Sequence, residues 1–95
     1  MDITYKNKKI EKVCTDAKMS DRTYGNEMSE KIQMRIGEME AADTVEEMIK
    51  YHIGRCHPLT NNRKGQDLVH PYRLVFEKHG NEIQVVHIME IVDYH

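Results

Sequence analysis

The sequence predicts an α+β domain, with a short N-terminal strand and a helical hairpin packed on a small twisted antiparallel sheet. Three observations carry that expectation. Apolar residues recur every three or four positions from Ile10 to Met39; a two-residue alternation takes over in the last third of the chain; and the Gly54-Arg55 loop separates the two regimes. The 95 residues suffice for one small domain, residues 1–95, whose folding buries only about 60–65% of the unfolded surface.

Residues 2–5 alternate weakly, with Ile3 and Tyr5 on one side, as a first strand would. From Lys8, residues Ile10, Val13 and Cys14 fall at helical spacing, which predicts a helix ending near Lys18. Ser20 or Asp21 then caps a longer helix whose apolar stripe is Tyr24, Met28, Ile32, Ile36 and Met39. Gly25 and Gly37 cost that helix about 1 kcal/mol each relative to Ala, so it depends on packing. Thr44 and Glu47 fit a capping box that opens a third helix running to about Tyr51. Residues 68–70 and 72–77 read as two strands bent at Pro71, which cannot donate to a ladder. After the His79-Gly80-Asn81 turn, residues 82–92 form a last strand, with Ile83, Val85, His87, Met89 and Ile91 on one face and Val86, Ile88 and Val92 on the other. Apolar residues on both faces predict a central strand, with His87 as a satisfied interior histidine.

Composition narrows the function classes. With 39% apolar and 32% charged residues the chain reads as a soluble domain, without the run of about 18–20 apolar residues a bilayer-spanning helix needs. The opening residues Met1 to Lys6 contain no apolar export segment, so a cytoplasmic location is expected, with Cys14 and Cys56 as free, packed thiols. The net charge of −2 argues against indiscriminate nucleic-acid binding. It is unevenly spread, however: residues 50–80 carry +4 and four of the six histidines, whereas residues 16–49 carry −5. The first stretch is a plausible phosphate surface, and the acidic helical stretch a docking face for a basic partner. His52, Cys56 and His57 lack the second ligand pair of a structural zinc site, so neither metal nor other cofactor is expected. The seven methionines read as core fillers.

Four pieces, in order, carry a family resemblance: Tyr24-Gly25-Asn26-Glu27-Met28 leading to Ala41-Ala42-Asp43-Thr44; Arg55-Cys56-His57-Pro58-Leu59 with Arg63-Lys64-Gly65; His70-Pro71-Tyr72-Arg73-Leu74-Val75-Phe76-Glu77; and Ile91-Val92-Asp93-Tyr94-His95. In this order the chain resembles the HigB-type toxins of the RelE/ParE superfamily. The resemblance implies a RelE-like fold and a ribosome-dependent endoribonuclease, the toxin of a type II toxin-antitoxin pair, which cuts mRNA in the ribosomal A site without a metal. It implies as partner a HigA-like helix-turn-helix antitoxin, through which alone the chain would meet promoter DNA. The chemistry suits the residues. RNA supplies its own nucleophile, the 2′-hydroxyl; a base must take that proton, an acid must protonate the leaving 5′-oxygen, and charge grows on the phosphate between them. The resemblance assigns His57 and His95 to proton transfer, Asp93 to share the base role or orient a histidine, Arg73 to the developing charge and Tyr94 to stacking or phosphate positioning. Arg55, Arg63, Lys64 and His70 would hold RNA.

Plainer readings stand beside these. His57 before Pro58 also suits an ordinary loop, Asp93-Tyr94-His95 a solvated tail, and Arg73 a surface ion pair with Glu77. Thr60 stands where many relatives have Lys, and Gly65-Gln66 runs directly into Asp67-Leu68, shortening the hairpin. Two other functions therefore remain open: a ParE-like DNA gyrase inhibitor, and an inactive toxin homologue that acts as a regulatory partner of the antitoxin.

Overall fold

The computed structural model describes residues 1–93; Tyr94 and His95, two of the expected catalytic residues, lie outside the described residues. Along the chain run β1 (Asp2–Tyr5), α1 (Lys8–Thr15), α2 (Ala17–Tyr24), α3 (Asn26–Ala41), α4 (Val45–Lys50), a single 3₁₀ turn (Ile53–Arg55), β2 (His57–Pro58), β3 (Arg63–Asp67), β4 (Tyr72–His79) and β5 (Val85–Asp93). The sheet order is β1-β5-β4-β3-β2. β2 to β5 pair antiparallel, as expected, but β1 joins β5 in parallel, so the sheet is mixed. Among the described residues no helix is long and apolar enough to cross a membrane.

The helical half is cut differently from the expectation. The Asp16 carboxylate accepts from the backbone N–H groups of Lys18 and Met19, ending α1 at Thr15 and starting α2 there instead of running on to Lys18. Gly25, at φ +86°, closes α2 at Tyr24, and the long helix begins at Asn26 rather than near Ser20. The apolar stripe survives this break because α2 and α3 face the same core. Met28, Ile32, Ile36 and Met39 are all buried as expected. The Thr44 hydroxyl caps α4 through the Glu47 N–H at 3.0 Å. A second, non-local cap comes from Gln84, whose buried amide accepts from Val45 N–H and donates to the Glu46 carboxylate, both at 2.8 Å.

In the sheet, the strand expected at residues 68–70 is instead the β3–β4 turn, closed by Leu68 N–H to Tyr72 O and Tyr72 N–H to Val69 O and containing a cis His70–Pro71 peptide. The strand lies one step earlier, at Arg63–Asp67. It is reached from β2 by a tight turn with both Asn61 and Asn62 left-handed, a conformation Asn tolerates. β5 starts at Val85, not at Glu82, and Ile83 is 85% exposed. Val75 faces Glu90 and Phe76 faces Ile88, so Met89 is an extra residue, a bulge. The bulge breaks the single face expected for the strand: Val85 and His87 lie on one side, whereas Ile91 joins Val86 and Ile88 on the other. Val86, Ile88, Leu74 and Phe76 belong to the core that the helices cover, and among the described residues no helix packs closely on the opposite face of the sheet.

The Gln84–Glu46 bond has a pH signature. Donation by Gln84 holds the Glu46 carboxyl below its usual range; burial opposes it, and Lys78 at 3.6 Å adds to the lowering. A depressed carboxylate stabilises the fold above its unfolded pKa and loses that contribution as pH falls through the folded value. Glu46 is well exposed, so Glu46→Gln should lower stability at neutral pH by less than about 1 kcal/mol. Urea-unfolding midpoints of the two proteins should converge as the pH is lowered below the carboxylate range.

Candidate active site on the open face of the sheet

Strand alternation decides which residues reach the open face. Leu74 and Phe76 point into the core, so Arg73, Val75 and Glu77 project from the other side of β4. Cross-strand pairs share a face: Asp67 lies opposite Arg73, Gly65 opposite Val75, Arg63 opposite Glu77, and His57 opposite Gly65. His57, Asp67 and Arg73 are therefore brought together from three strands.

The loop before β2 completes the site. His52, Gly54 and Arg55 all have left-handed backbones, at φ +52°, +61° and +56°, a conformation that costs a non-glycine residue about 1–2 kcal/mol. This path aims the Arg55 carbonyl at His57 Nδ1, 2.7 Å away. A carbonyl only accepts, so Nδ1 carries a hydrogen, and in the neutral ring Nε2 is then the acceptor. Arg73 Nη1 donates toward that Nε2 at 3.5 Å. Asp67 spans the two guanidiniums, 3.3 Å from Arg55 Nε and 3.7 Å from Arg73 Nε. The four residues close a ring: the Arg55 carbonyl to His57, His57 to Arg73, Arg73 to Asp67, and Asp67 back to the Arg55 side chain. Among the described residues, one carboxylate lies near both guanidiniums. Beside it opens a cleft of about 250 Å³ lined by Arg55, Asp67, His70, Pro71, Tyr72 and Arg73. An anion there would meet guanidinium donors and an imidazole nitrogen able to accept a proton.

Other expected residues are placed differently. Arg63 shares the face of Arg73 but lies four residues along β3 from Asp67, about 13 Å. Glu77 and Glu90 flank its guanidinium at 3.8 and 3.9 Å. Lys64 alternates to the other face, and its ammonium donates to Asn62 O at 2.9 Å. Asp93 is exposed and pairs with Tyr72, whose ring packs edge-on against Tyr24 of α2, so it starts from the helical side of the sheet. His87 is not interior: half-buried on the open face, it bonds Thr4 at 2.7 Å and stacks on His79 with ring centroids 4.9 Å apart. The bulge and the parallel β1 put it there. Asp67 was missed by sequence reasoning, because a strand starting at Leu68 leaves it in a loop. The signal was the Asn61-Asn62 turn, which sets β3 at residues 63–67.

Cys14 and Cys56 are free and buried; burial pushes their thiols up to about 12 and about 11, so both stay protonated and neither is a nucleophile. Among the described residues no three His, Cys, Asp or Glu side chains converge as a metal-binding group.

No protein-family model matches the sequence, and no curated protein matches it. Among solved structures, a YoeB/ParE toxin from Agrobacterium tumefaciens superposes with a TM-score of 0.65 at 16% identity, over the full length of both chains. The chain thus has the fold of RelE/YoeB-like toxins, helices on one side of a five-stranded mixed sheet.

The ring leans on α3. Arg35 Nε donates to Asp67 O at 2.6 Å while its Nη1 holds both Glu38 oxygens at 3.0 Å. A Cβ on Gly54 would sit 2.8 Å from the Arg35 side chain, and Gly54 already requires positive φ. Gly54→Ala should cost about 1–3 kcal/mol in urea unfolding and loosen Asp67. An unchanged midpoint would mean that Arg35 moves aside freely.

Proposed function

We propose that this chain is a HigB-type toxin of a type II toxin-antitoxin pair, a ribosome-dependent endoribonuclease that cuts mRNA by attack of the RNA's own 2′-hydroxyl. The single observation that supports this best is the orientation of His57: its Nδ1 is committed to a backbone carbonyl and its bare Nε2 stands 3.5 Å from Arg73 Nη1. An acceptor nitrogen beside a fixed cation is what 2′-hydroxyl attack requires. In this reading His57 Nε2 takes the 2′-proton, and Arg73 holds the non-bridging phosphate oxygens as their charge grows. Asp67 keeps the Arg73 guanidinium from turning away. The attack forms a 2′,3′-cyclic phosphate and releases a 5′-hydroxyl that an acid must protonate. With His57 as the base, that role goes to His95, the other histidine the family resemblance assigns to proton transfer, while Asp93 shares the base role or orients a histidine and Tyr94 stacks on a base or positions the phosphate. Arg55 and His70, lining the cleft next to Arg73, receive the flanking nucleotide. A HigA-like helix-turn-helix protein serves as antitoxin, and the site of action is the A site of cytoplasmic ribosomes.

A second reading, a non-cutting homologue that regulates the antitoxin, draws on Arg63. Its guanidinium already lies between Glu77 and Glu90, so a phosphate at that point would compete with two carboxylates.

Primer extension on mRNA from translating ribosomes separates the readings. The wild-type chain should produce in-frame cuts ending in cyclic phosphate, and His57→Ala, Arg73→Ala and His95→Ala should each slow cutting by about 10²–10³-fold with an unchanged fold. Full cutting by both His57→Ala and Arg73→Ala would sink the assignment. Antitoxin binding without cuts would favour the regulatory homologue, and gyrase-dependent DNA breaks without mRNA cuts a ParE-like inhibitor.

A further inference from the structure

The segment between α4 and β2 turns a distinctive set of side chains outward. Lys50, Tyr51, His52 and Arg55 are all exposed, whereas Ile53 is half-buried and packs against the core. Lys50 Nζ stands over the Tyr51 ring, 5.3 Å from its centre, and Tyr51 is still 63% exposed. Among the described residues the Tyr51 hydroxyl makes no hydrogen bond, and apart from that ring contact neither the Lys50 nor the His52 side chain has a polar partner. Arg55 is held through Nε by Asp67 at 3.3 Å, with its side chain 84% exposed, so among the described residues its terminal nitrogens are left to solvent.

The segment is nevertheless fixed. Gln66 Nε2 donates to Ile53 O at 3.0 Å, and within the loop Arg55 N–H donates to His52 O and Cys56 N–H to Ile53 O. These bonds hold the left-handed backbone of His52 and Arg55, a strain that clusters where ligands bind. Glu46 and Glu47 lie in the first turn of α4, Glu46 engaged by Gln84 and Lys78, and the sequence then has no Asp or Glu until Asp67. An exposed aromatic ring between fixed cations is the combination that takes unpaired nucleotides: the ring stacks on a base, and the cations meet the phosphates on either side of it.

We propose that the loop from Lys50 to Arg55 binds single-stranded RNA, with one base stacked on Tyr51 and the neighbouring phosphates on Lys50 and Arg55. Arg55 also lines the cleft beside Arg73, so a strand seated on the loop is led into that cleft. The choice of RNA rests on the ribonuclease reading. A duplex does not fit, because its bases already stack on one another and present no free face to the ring.

The test uses the full chain and fluorescein-labelled RNA strands about eight nucleotides long, with every ribose 2′-O-methylated. Methylation removes the nucleophile, so binding is read without cutting. Fluorescence anisotropy should show binding that weakens as salt rises from about 0.05 to about 0.2 M. Tyr51→Ala should weaken it about ten-fold, whereas Tyr51→Phe, which keeps the ring, should bind like the wild type. Lys50→Gln should also weaken binding and reduce the salt slope by about one phosphate contact. All three positions of change are exposed, so urea midpoints should stay unchanged. A duplex of the same sequence should bind more weakly, and so should a stem-loop that displays it in the loop, which separates an extended messenger strand from a folded RNA. No binding by the wild-type chain, indifference to Tyr51→Ala or Lys50→Gln, failure of Tyr51→Phe to restore affinity, or tighter binding of the duplex or stem-loop would each overturn the proposal. The two readings fail separately: uncut mRNA with a ten-fold loss in Tyr51→Ala removes the nuclease and keeps the loop, and cut mRNA with no loss does the reverse.

Discussion

The pairing register of β3 with β4 is the constraint on which the candidate site rests. Sides of a strand alternate with every residue, so a slip of one would send Arg73 to the helices and bring Leu74 into water. Several contacts hold the register. Gln66, fully buried, donates to the Ile53 carbonyl at 3.0 Å, and Arg35 grips the Asp67 carbonyl. The first bond ties β3 to the left-handed loop that aims Arg55, and the second ties it to the longest helix. The open-face chemistry is thus positioned from behind, by polar groups on the covered side.

Charge counted along the chain is a poor guide to charge available for binding. Residues 50–80 carry +4, yet Lys78 stands 3.6 Å from Glu46 and Arg63 lies between Glu77 and Glu90. At Arg55 and Arg73, among the described residues, Asp67 lies near both guanidiniums. Asp67 helps keep Arg73 in a fixed pose, since a half-buried cation without an acid nearby is costly and mobile. The histidine is held by a backbone carbonyl rather than an acid, which fixes its tautomer without adding negative charge to the cleft.

Much of this was legible in the sequence where local physics matches the fold. The α3 stripe and the Thr44 cap follow from periodicity and capping chemistry, and His57 and Arg73 were singled out from the motifs they occupy. The illegible parts depend on geometry that spacing does not encode. Asp16 and Gly25 break the helical half without breaking its apolar stripe, because two helices face one core. The Met89 bulge exchanges the faces of β5 midway, so an alternation pattern read from Ile83 to Ile91 fails at its centre. Asp67 escaped because its role depends on a partner across the sheet, six residues on. The C-terminal Tyr94 and His95 were named from the family resemblance alone.

A sheet covered on one side only writes two messages in the same strands. On β4 the letters at Leu74 and Phe76 keep the molecule folded, and those at Arg73 and Glu77 face outward without contributing to that core. Descendants of such a protein can lose or exchange their trade while their architecture stays intact, since the alternate letters are free to be rewritten. An active cutter and a silent relative would then be hard to tell apart by shape, and only the outward half of each strand would record the difference.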